Sequence, residues 1–341
     1  MKSHSCQTIS VNPTLSTIHD AQKLLADYFP ATRLLPCSAG FLASDSSGST
    51  LPPQTFLKLE SDLPTASFKP RGALYALLTS LRRRTINEVT ASSTGNHGAA
   101  VAWAAKTLNI PATIFLPANP NPVKRKRIAD LGARIVESGG QDLAHAFQEA
   151  QSYSSRPGVY FLNDATDPDL PAGPATIGLE ILAQLPLVAA IYIPMGDTAL
   201  IRGIGAAVKQ TNPHVKIIGV QAEQAASYYL SWKAGRPVPT ETCITIADGL
   251  ATRTPESENV YAIRQLVDDI ILVSEAEMLQ AIRHLHTAEN VVAEPAGAAA
   301  TAAYLKAAAF SSHAPTNPAV LLVTGANITD ATRHRAWLPA M

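Results

Sequence analysis

The sequence predicts an α/β protein with two layers of parallel strands and helices, and three observations carry that reading. From about Lys58 to Val323, short β-branched runs alternate with longer stretches of helical period. The strand-helix units of the first half recur at about thirty residues, the size of a βα unit, and the right-handed crossover rule joins them into one parallel sheet. Finally, 46% of the 341 residues are hydrophobic and only 16% are charged, which is enough apolar surface for roughly two domains of about 150 residues and excludes global disorder. A ligand is expected in the crevice at the carboxyl ends of the strands.

The first strand is TFLKLE, followed by a loop, LPTAS. A helix then begins at Pro70, whose fixed φ suits a first helical position, and Leu74, Leu77, Leu78 and Leu81 form its buried stripe at i, i+3, i+4, i+7. Lys69 therefore stands at that helix's N-terminal boundary. Strand EVTASS, turn TGNHG and helix AAVAWAAKTL come next, then strand ATIFLP, helix VKRKRIADL ending at Gly132, strand ARIVES, helix DLAHAFQEAQSY and strand VYFLN. A second series runs through helix ATIGLEILAQL, strand AAIYIPMG, helix ALIRGIGAAVKQ and strands KIIGVQAE and DIILVS. Ser274 and Glu277 make a capping box in front of helix EAEMLQAIRHLH, and an alanine-rich helix and strand AVLLVTG close the fold. The segment SAGFLASDSSGSTLPPQ reads as a loop. The chain ends soon after the last strand, so no appended regulatory domain is expected.

Charge and cysteine usage narrow the function. The 27 lysines and arginines balance 27 aspartates and glutamates, so there is no basic excess for a nucleic-acid partner, and Lys124 to Arg127 reads as a solvated helix face. Cys6, Cys37 and Cys243 are few and far apart, with no metal-ligand spacing, which suits reduced thiols in a cytoplasm. The N-terminus lacks the apolar core of a signal peptide, and no stretch is long and apolar enough for a membrane span.

Four segments could carry chemistry. In SFKPRGA, Lys69 lies where helix N–H groups converge and beside Phe68; both the positive potential and burial disfavour its ammonium, so a neutral, nucleophilic amine able to condense with an aldehyde is expected. The alternative is a solvated surface lysine. SSTGNHG, from Ser92 to Gly98, joins a strand to a helix, where amides and hydroxyls can grip a carboxylate or ring oxygen, although it could equally be an ordinary capping turn. PMGDTAL, from Pro194 to Leu200, offers unpaired backbone donors to a phosphate, with Asp197 placed to cap the following helix. VTGAN, from Val323 to Asn327, puts a hydroxyl at a strand end, where it could meet a ring nitrogen.

Taken in this order, the segments resemble the fold-type II pyridoxal-phosphate enzymes, specifically the serine/threonine dehydratase family. The resemblance runs from about Lys58 to Asn327 and is carried by KLESDLPTASFKPRGA and ASSTGNHGAAVAWAAKTL, with AGPATIGLEIL, VVAEPAGAA and VTGAN in support. It implies two parallel-sheet α/β domains with the cofactor in the cleft between them: a large domain from residues 1–87 and 166–341 and a small one from 88–165. Lys69 would match the lysine that holds pyridoxal 5'-phosphate as a Schiff base and later moves the Cα proton. Phe68 would pack near the cofactor, and Asn96 would hydrogen-bond its phenolic oxygen. Ser93, Thr94, Asn96 and His97 would cradle the substrate carboxylate. Gly196, Asp197, Thr198, Ala199 and Leu200 would hold the phosphate, and Thr324 would meet the pyridine nitrogen. Glu294 lies in a further family segment with no fixed role.

Departures from the family pattern are informative. The phosphate loop has one glycine where relatives often carry several. Thr94 stands where eukaryotic serine racemases place an acid/base serine, and its extra methyl restricts its rotamer. Glu223 is kept, but Tyr229 replaces the second carboxylate of the relatives' metal site, so no metal is expected. The resemblance implies β-elimination from a small β-hydroxy amino acid (serine, threonine, a hydroxyaspartate or a phenylserine type) to a 2-oxo acid and ammonia. Amino-acid racemisation and a threonine-synthase-like replacement are the alternatives. A catalytically silent cofactor-binding protein and a nucleotide-binding oxidoreductase are the readings from other classes; the latter is disfavoured because no GxGxxG follows the first strand. A homodimer is expected because relatives are commonly dimers.

Overall fold

The computed structural model describes residues 12–38, 55–93, 95–120, 122–139, 143–310 and 318–337. Helix α1 (Leu15–Leu25), capped by the Thr14 hydroxyl, leads into the short strand β1 (Leu34–Pro36) and then β2 (Thr55–Leu59). Helix α2 (Lys69–Arg83) follows after a tight turn. Leu74 and Leu77 of its apolar stripe are fully buried, while Leu78 and Leu81 pack at the edge of the same core.

The chain then builds β3 (Glu88–Ser92), α3 (Asn96–Thr107), β4 (Ala112–Leu116), α4 (Pro122–Asp130), β5 (Arg134–Glu137), α5 (Leu143–Tyr153) and β6 (Val159–Phe161). Their strands form one four-stranded sheet in the order β5-β4-β3-β6, parallel throughout, as the repeated βα units predict. Helix α3 starts at Asn96, two residues earlier than the end of the expected turn, so Asn96 and His97 belong to its first turn.

The remainder returns to the other layer through α6 (Ala172–Gln184), β7 (Ala190–Pro194), α7 (Ala199–Thr211), β8 (Lys216–Ala222), α8 (Ser227–Ala234), α9 (Ser257–Leu266), β9 (Asp269–Val273), α10 (Glu275–Glu289), α11 (Pro295–Phe310), β10 (Ala319–Val323) and α12 (Asp330–Trp337). The six-stranded sheet has the order β1-β2-β10-β7-β8-β9. Strand β10 lies between β2 and β7, pairing Leu321 with Leu57 on one side and Tyr192 on the other, and only β1 runs antiparallel. The capping box at α10 is present, with the Ser274 hydroxyl accepting from the Glu277 amide and Glu277 from the Ser274 amide.

This topology brings the carboxyl ends of β2, β3, β6, β7 and β10 to one place, the rule for ligand crevices in open α/β sheets. Among the described residues, no helix is long and apolar enough to cross a membrane. The loop expected over SAGFLASDSSGSTLPPQ falls, apart from Ser38, outside the described residues, as do Cys6 and Thr94.

Candidate active site

Lys69 opens α2 and is half-buried, with its ammonium 5.5 Å from the centre of the Phe68 ring. The preceding turn is strained: Thr65 and Ala66 both have positive φ, at 66° and 49°. Two backbone contacts seat it against the end of β10, the antiparallel bridge of Ser67 with Gly325 and the Phe68 amide on the Thr324 carbonyl at 3.0 Å. Thr324, buried, thus stands directly behind the lysine's neighbour.

The ionisation expected for Lys69 is reversed. Burial pulls the ammonium down, but Asp164 Oδ2 lies 2.6 Å from Nζ, and this contact, with the more distant charges of Asp197 and Glu294, raises Lys69 above the ordinary lysine value. The local helix-terminus argument is overridden by a carboxylate arriving from the end of β6. Burial acts against the Asp164 anion as well, yet the Lys69 ammonium, by its charge and its hydrogen bond, holds this carboxyl well below the usual range.

His97 is buried, and its Nε2 donates to the Leu162 carbonyl at 2.9 Å, so the neutral ring presents its bare Nδ1 toward Asp164 Oδ2, 3.9 Å away. Burial is the main cause of its lowered pKa. Asn96 donates to Glu294 Oε1 at 2.6 Å and accepts from Asn327 at 2.6 Å. Burial pushes the Glu294 carboxyl up to about 7 despite that hydrogen bond. Ser93 accepts from the Gly95 amide at 3.2 Å, closing the turn into α3.

Along the loop after β7, the expected capping by Asp197 does not occur. Thr198 occupies the cap position in a left-handed conformation (φ 69°), and α7 has no side-chain cap. That twist turns Asp197 away from the helix, and its Oδ1 accepts from the Thr252 hydroxyl at 3.0 Å. Burial, reinforced by Asp164, pushes the Asp197 carboxyl up to about 6. Gly196 is required by close approach, since a Cβ there would stand 2.1 Å from the Gly249 carbonyl oxygen. Ala199 and Leu200, both buried, begin α7.

A cavity of about 180 Å³ opens between the two layers, lined by Ser92, His97, Phe147, Phe161, Asp197 and the Lys69 partner Asp164 among others. A two-layer α/β enzyme with a lysine paired to a carboxylate across its interlayer cleft is the class these features define. The chain belongs to the family of pyridoxal-phosphate-dependent enzymes, whose model matches residues 41–325.

The chain is 38% identical over 250 residues to the L-threonine ammonia-lyase of Geobacter sulfurreducens, covering 73% of this chain and 62% of that protein. It is 32% identical to a catabolic L-threonine dehydratase of Staphylococcus aureus, over 94% of this chain and 92% of that one. The solved structure of the processed form of threonine deaminase isoform 2 from Solanum lycopersicum superposes with a TM-score of 0.85 at 28% identity, covering 96% of this chain and 94% of that one.

The residues present fit such a cofactor. Among the described residues, the Thr198 hydroxyl and Arg202 Nε are buried without a hydrogen-bond partner, and the first-turn amides of α7 have no helical acceptor, so a phosphate at that terminus would satisfy the hydroxyl and the amides. Asp164 and Thr252 were not singled out from the sequence, and Asn327 was named only as the end of VTGAN. Asp164 and Asn327 follow the carboxyl ends of β6 and β10, so the strand-end rule held a usable signal for them. Thr252 belongs to no regular element and had none. At the position compared with a relatives' metal site, Glu223 pairs with Lys306 at 3.3 Å, and the Tyr229 amide donates to Gln221 at 2.9 Å.

Proposed function

We propose that this protein is a pyridoxal-phosphate-dependent ammonia-lyase that removes the β-hydroxyl of a small β-hydroxy amino acid, threonine foremost, to give a 2-oxo acid and ammonia. The observation that carries this reading is Lys69 at the interlayer cleft, paired with the Asp164 carboxylate that His97 also approaches, near a loop with unsatisfied anion donors. The names of the relatives supply the substrate class.

When bound, the cofactor withdraws electrons from the substrate's Cα, which makes its proton removable. Lys69 would hold the cofactor and then take that proton at Nζ. The Thr198 hydroxyl and the α7 amides would hold the phosphate, Phe68 would cover the ring, and Thr324 would meet the ring nitrogen as a neutral partner. Asn96 would reach the phenolic oxygen, while Ser93, Thr94, Asn96 and His97 would orient the substrate carboxylate. The unsaturated amine released after loss of hydroxide hydrolyses to the 2-oxo acid. The division into a large unit (1–87 and 166–341) and a small one (88–165) would put the site at their junction, and the separate six- and four-stranded sheets support it. A homodimer is carried over from the resemblance alone, and a cytoplasmic setting from the sparse cysteines and the N-terminus without a signal-peptide core.

The test is a panel of serine, threonine, hydroxyaspartate and phenylserine, both enantiomers, scored for ammonia, 2-oxo acid and loss of optical purity. Threonine should be the best eliminated, and Lys69→Ala should abolish both turnover and borohydride-reducible attachment of the cofactor while the thermal transition persists. Racemisation without 2-oxo acid would replace this reading with the racemase one, and labelling at another lysine would overturn the role of Lys69.

A further inference from the structure

Asp164 reaches Lys69 from the opposite layer, since it follows β6 of the four-stranded sheet while Lys69 starts α2 beside the six-stranded one. Four titratable groups face Lys69: Asp164, Asp197 from the loop after β7, Glu294 ahead of α11, and His97 from α3. Three of them are engaged elsewhere. The Asp197 carboxyl accepts from Thr252, Glu294 accepts from Asn96, and His97 donates to the Leu162 carbonyl. Among the described residues, Asp164 alone accepts a hydrogen bond from Nζ, at 2.6 Å, the short end of charge-assisted geometry.

We propose that Asp164 is the counterion that keeps Lys69 protonated and thereby sets the pH at which this lysine can be joined to an aldehyde. The inference rests on the reading of Lys69 as the attachment lysine. An ammonium has no lone pair to offer. The nitrogen–carbon bond forms only from the free amine, whose two hydrogens leave with the aldehyde oxygen as water, so the proton shared with Asp164 must first be given up to solvent. Because Asp164 comes from the other layer, the pair also makes attachment sensitive to how closely the layers approach. The carboxylate touches the reacting nitrogen itself, and no residue with this task is among those carried over from the resemblance.

The experiment follows the rate of covalent attachment of pyridoxal phosphate to the full chain across pH, trapped with borohydride and read on the Lys69 peptide by mass spectrometry. For Asp164→Asn the midpoint of the rate profile should fall by at least one pH unit, which is about tenfold faster attachment on the rising limb, and Asp164→Glu should restore it toward the parent value. An unmoved midpoint in Asp164→Asn overturns the proposal. A second measurement needs no variant to fold: competitive reductive methylation of the cofactor-free parent chain with formaldehyde titrates Lys69 directly. It should titrate above the exposed lysines, and titration at or below them overturns the proposal. Attachment at a different lysine would sink the functional reading, while the formaldehyde titration still decides the pairing.

Discussion

Asn96 Nδ2 donates to Glu294 Oε1 at 2.6 Å, tying the first turn of α3 in one layer to the residue that precedes α11 in the other. Asn327 extends the link, donating to Asn96 Oδ1 at 2.6 Å and to the strained Thr65 carbonyl at 2.9 Å. Only the Glu294 end of this chain ionises. Its carboxyl titrates near 7 in the folded protein against an ordinary 4.5, so below about pH 4.5 both states are protonated and no cost arises. As pH rises from there to about 7, the unfolded chain ionises first, and native stability falls by at most on the order of 3 kcal/mol. Glu294→Gln keeps an acceptor for Asn96 and removes the titration. The melting advantage of the variant should therefore grow between pH 4.5 and 7 and level off above. A pH-independent difference in melting temperature for the cofactor-free proteins would show that Glu294 does not carry this linkage.

Around the phosphate loop, the variants Asp197→Asn and Thr198→Val should move cofactor affinity in opposite directions. The amide keeps an acceptor for Thr252 but removes a charge that repels a phosphate dianion. Asp197→Asn should bind pyridoxal phosphate several-fold tighter at pH 8, with the gain shrinking below about 6, where the parent carboxyl is itself protonated. Thr198→Val deletes a buried hydroxyl without a partner and should weaken binding by about 1 kcal/mol, roughly fivefold. Equilibrium titration of cofactor fluorescence or absorbance at the two pH values measures both, and weaker binding by Asp197→Asn would make the carboxylate part of the binding network.

Behind α2 lies a closed set of buried charges. Arg71 Nε donates to Glu60 at 2.8 Å and its Nη1 to Glu180 at 2.6 Å, while Lys58 donates to Glu180 at 2.6 Å and Gln184 at 2.9 Å. Two cations and two anions balance, so removing one anion strands a buried positive charge. Glu60→Gln should destabilise the protein by about 3–5 kcal/mol in urea unfolding. Since Arg71 is two residues from Lys69, the variant should also slow cofactor attachment. A loss below about 1 kcal/mol, the level of an exposed pair, would mean that water relieves the network.

How far the sequence could be read depended on the range of the interaction. The Ser274–Glu277 capping box, the α2 stripe and the parallel βα series are set by neighbours within a few residues, and they form as their patterns predict. Strand β1 is three residues long, and α8 and α12 lie in segments without a clean apolar period, so periodicity did not reveal them; α9 does carry one, with Val260, Ile263 and Leu266 buried at helical spacing. At the site, the motif positions of Lys69, Asn96 and Thr324 were readable because each sits at a strand-to-helix junction or strand end. Their electrostatics were not. Asp164 is 95 residues from Lys69, and it reverses the ionisation that the helix terminus alone suggests. Asp197 follows the same logic: a capping rule based on adjacency is overridden by Thr252, 55 residues away.

Gly98 controls the loop that precedes it. A Cβ at this position would stand 2.4 Å from the Ser93 carbonyl oxygen, and 3.2 and 3.3 Å from Ile128 Cδ1 and Ile114 Cγ2. The two isoleucine contacts are tight but can give, whereas the Ser93 carbonyl is backbone and cannot swing aside alone. Gly98→Ala must therefore displace the Ser93–His97 turn or lift α3 off β4, and overpacking of this kind costs about 1–3 kcal/mol. The same turn carries the residues assigned to the substrate carboxylate, while Lys69 and the phosphate loop lie on other elements. Gly98→Ala should thus raise KM for threonine at least tenfold and lower the melting temperature, with pyridoxal phosphate still attached at Lys69 but held more weakly through the displaced Asn96. Gly95→Ala provides the contrast: among the described residues, nothing beyond its chain neighbours would lie within 4 Å of the added methyl, so it should cost less stability. Loss of cofactor attachment in Gly98→Ala, or an unchanged KM at full occupancy, would show that the turn does not position the substrate.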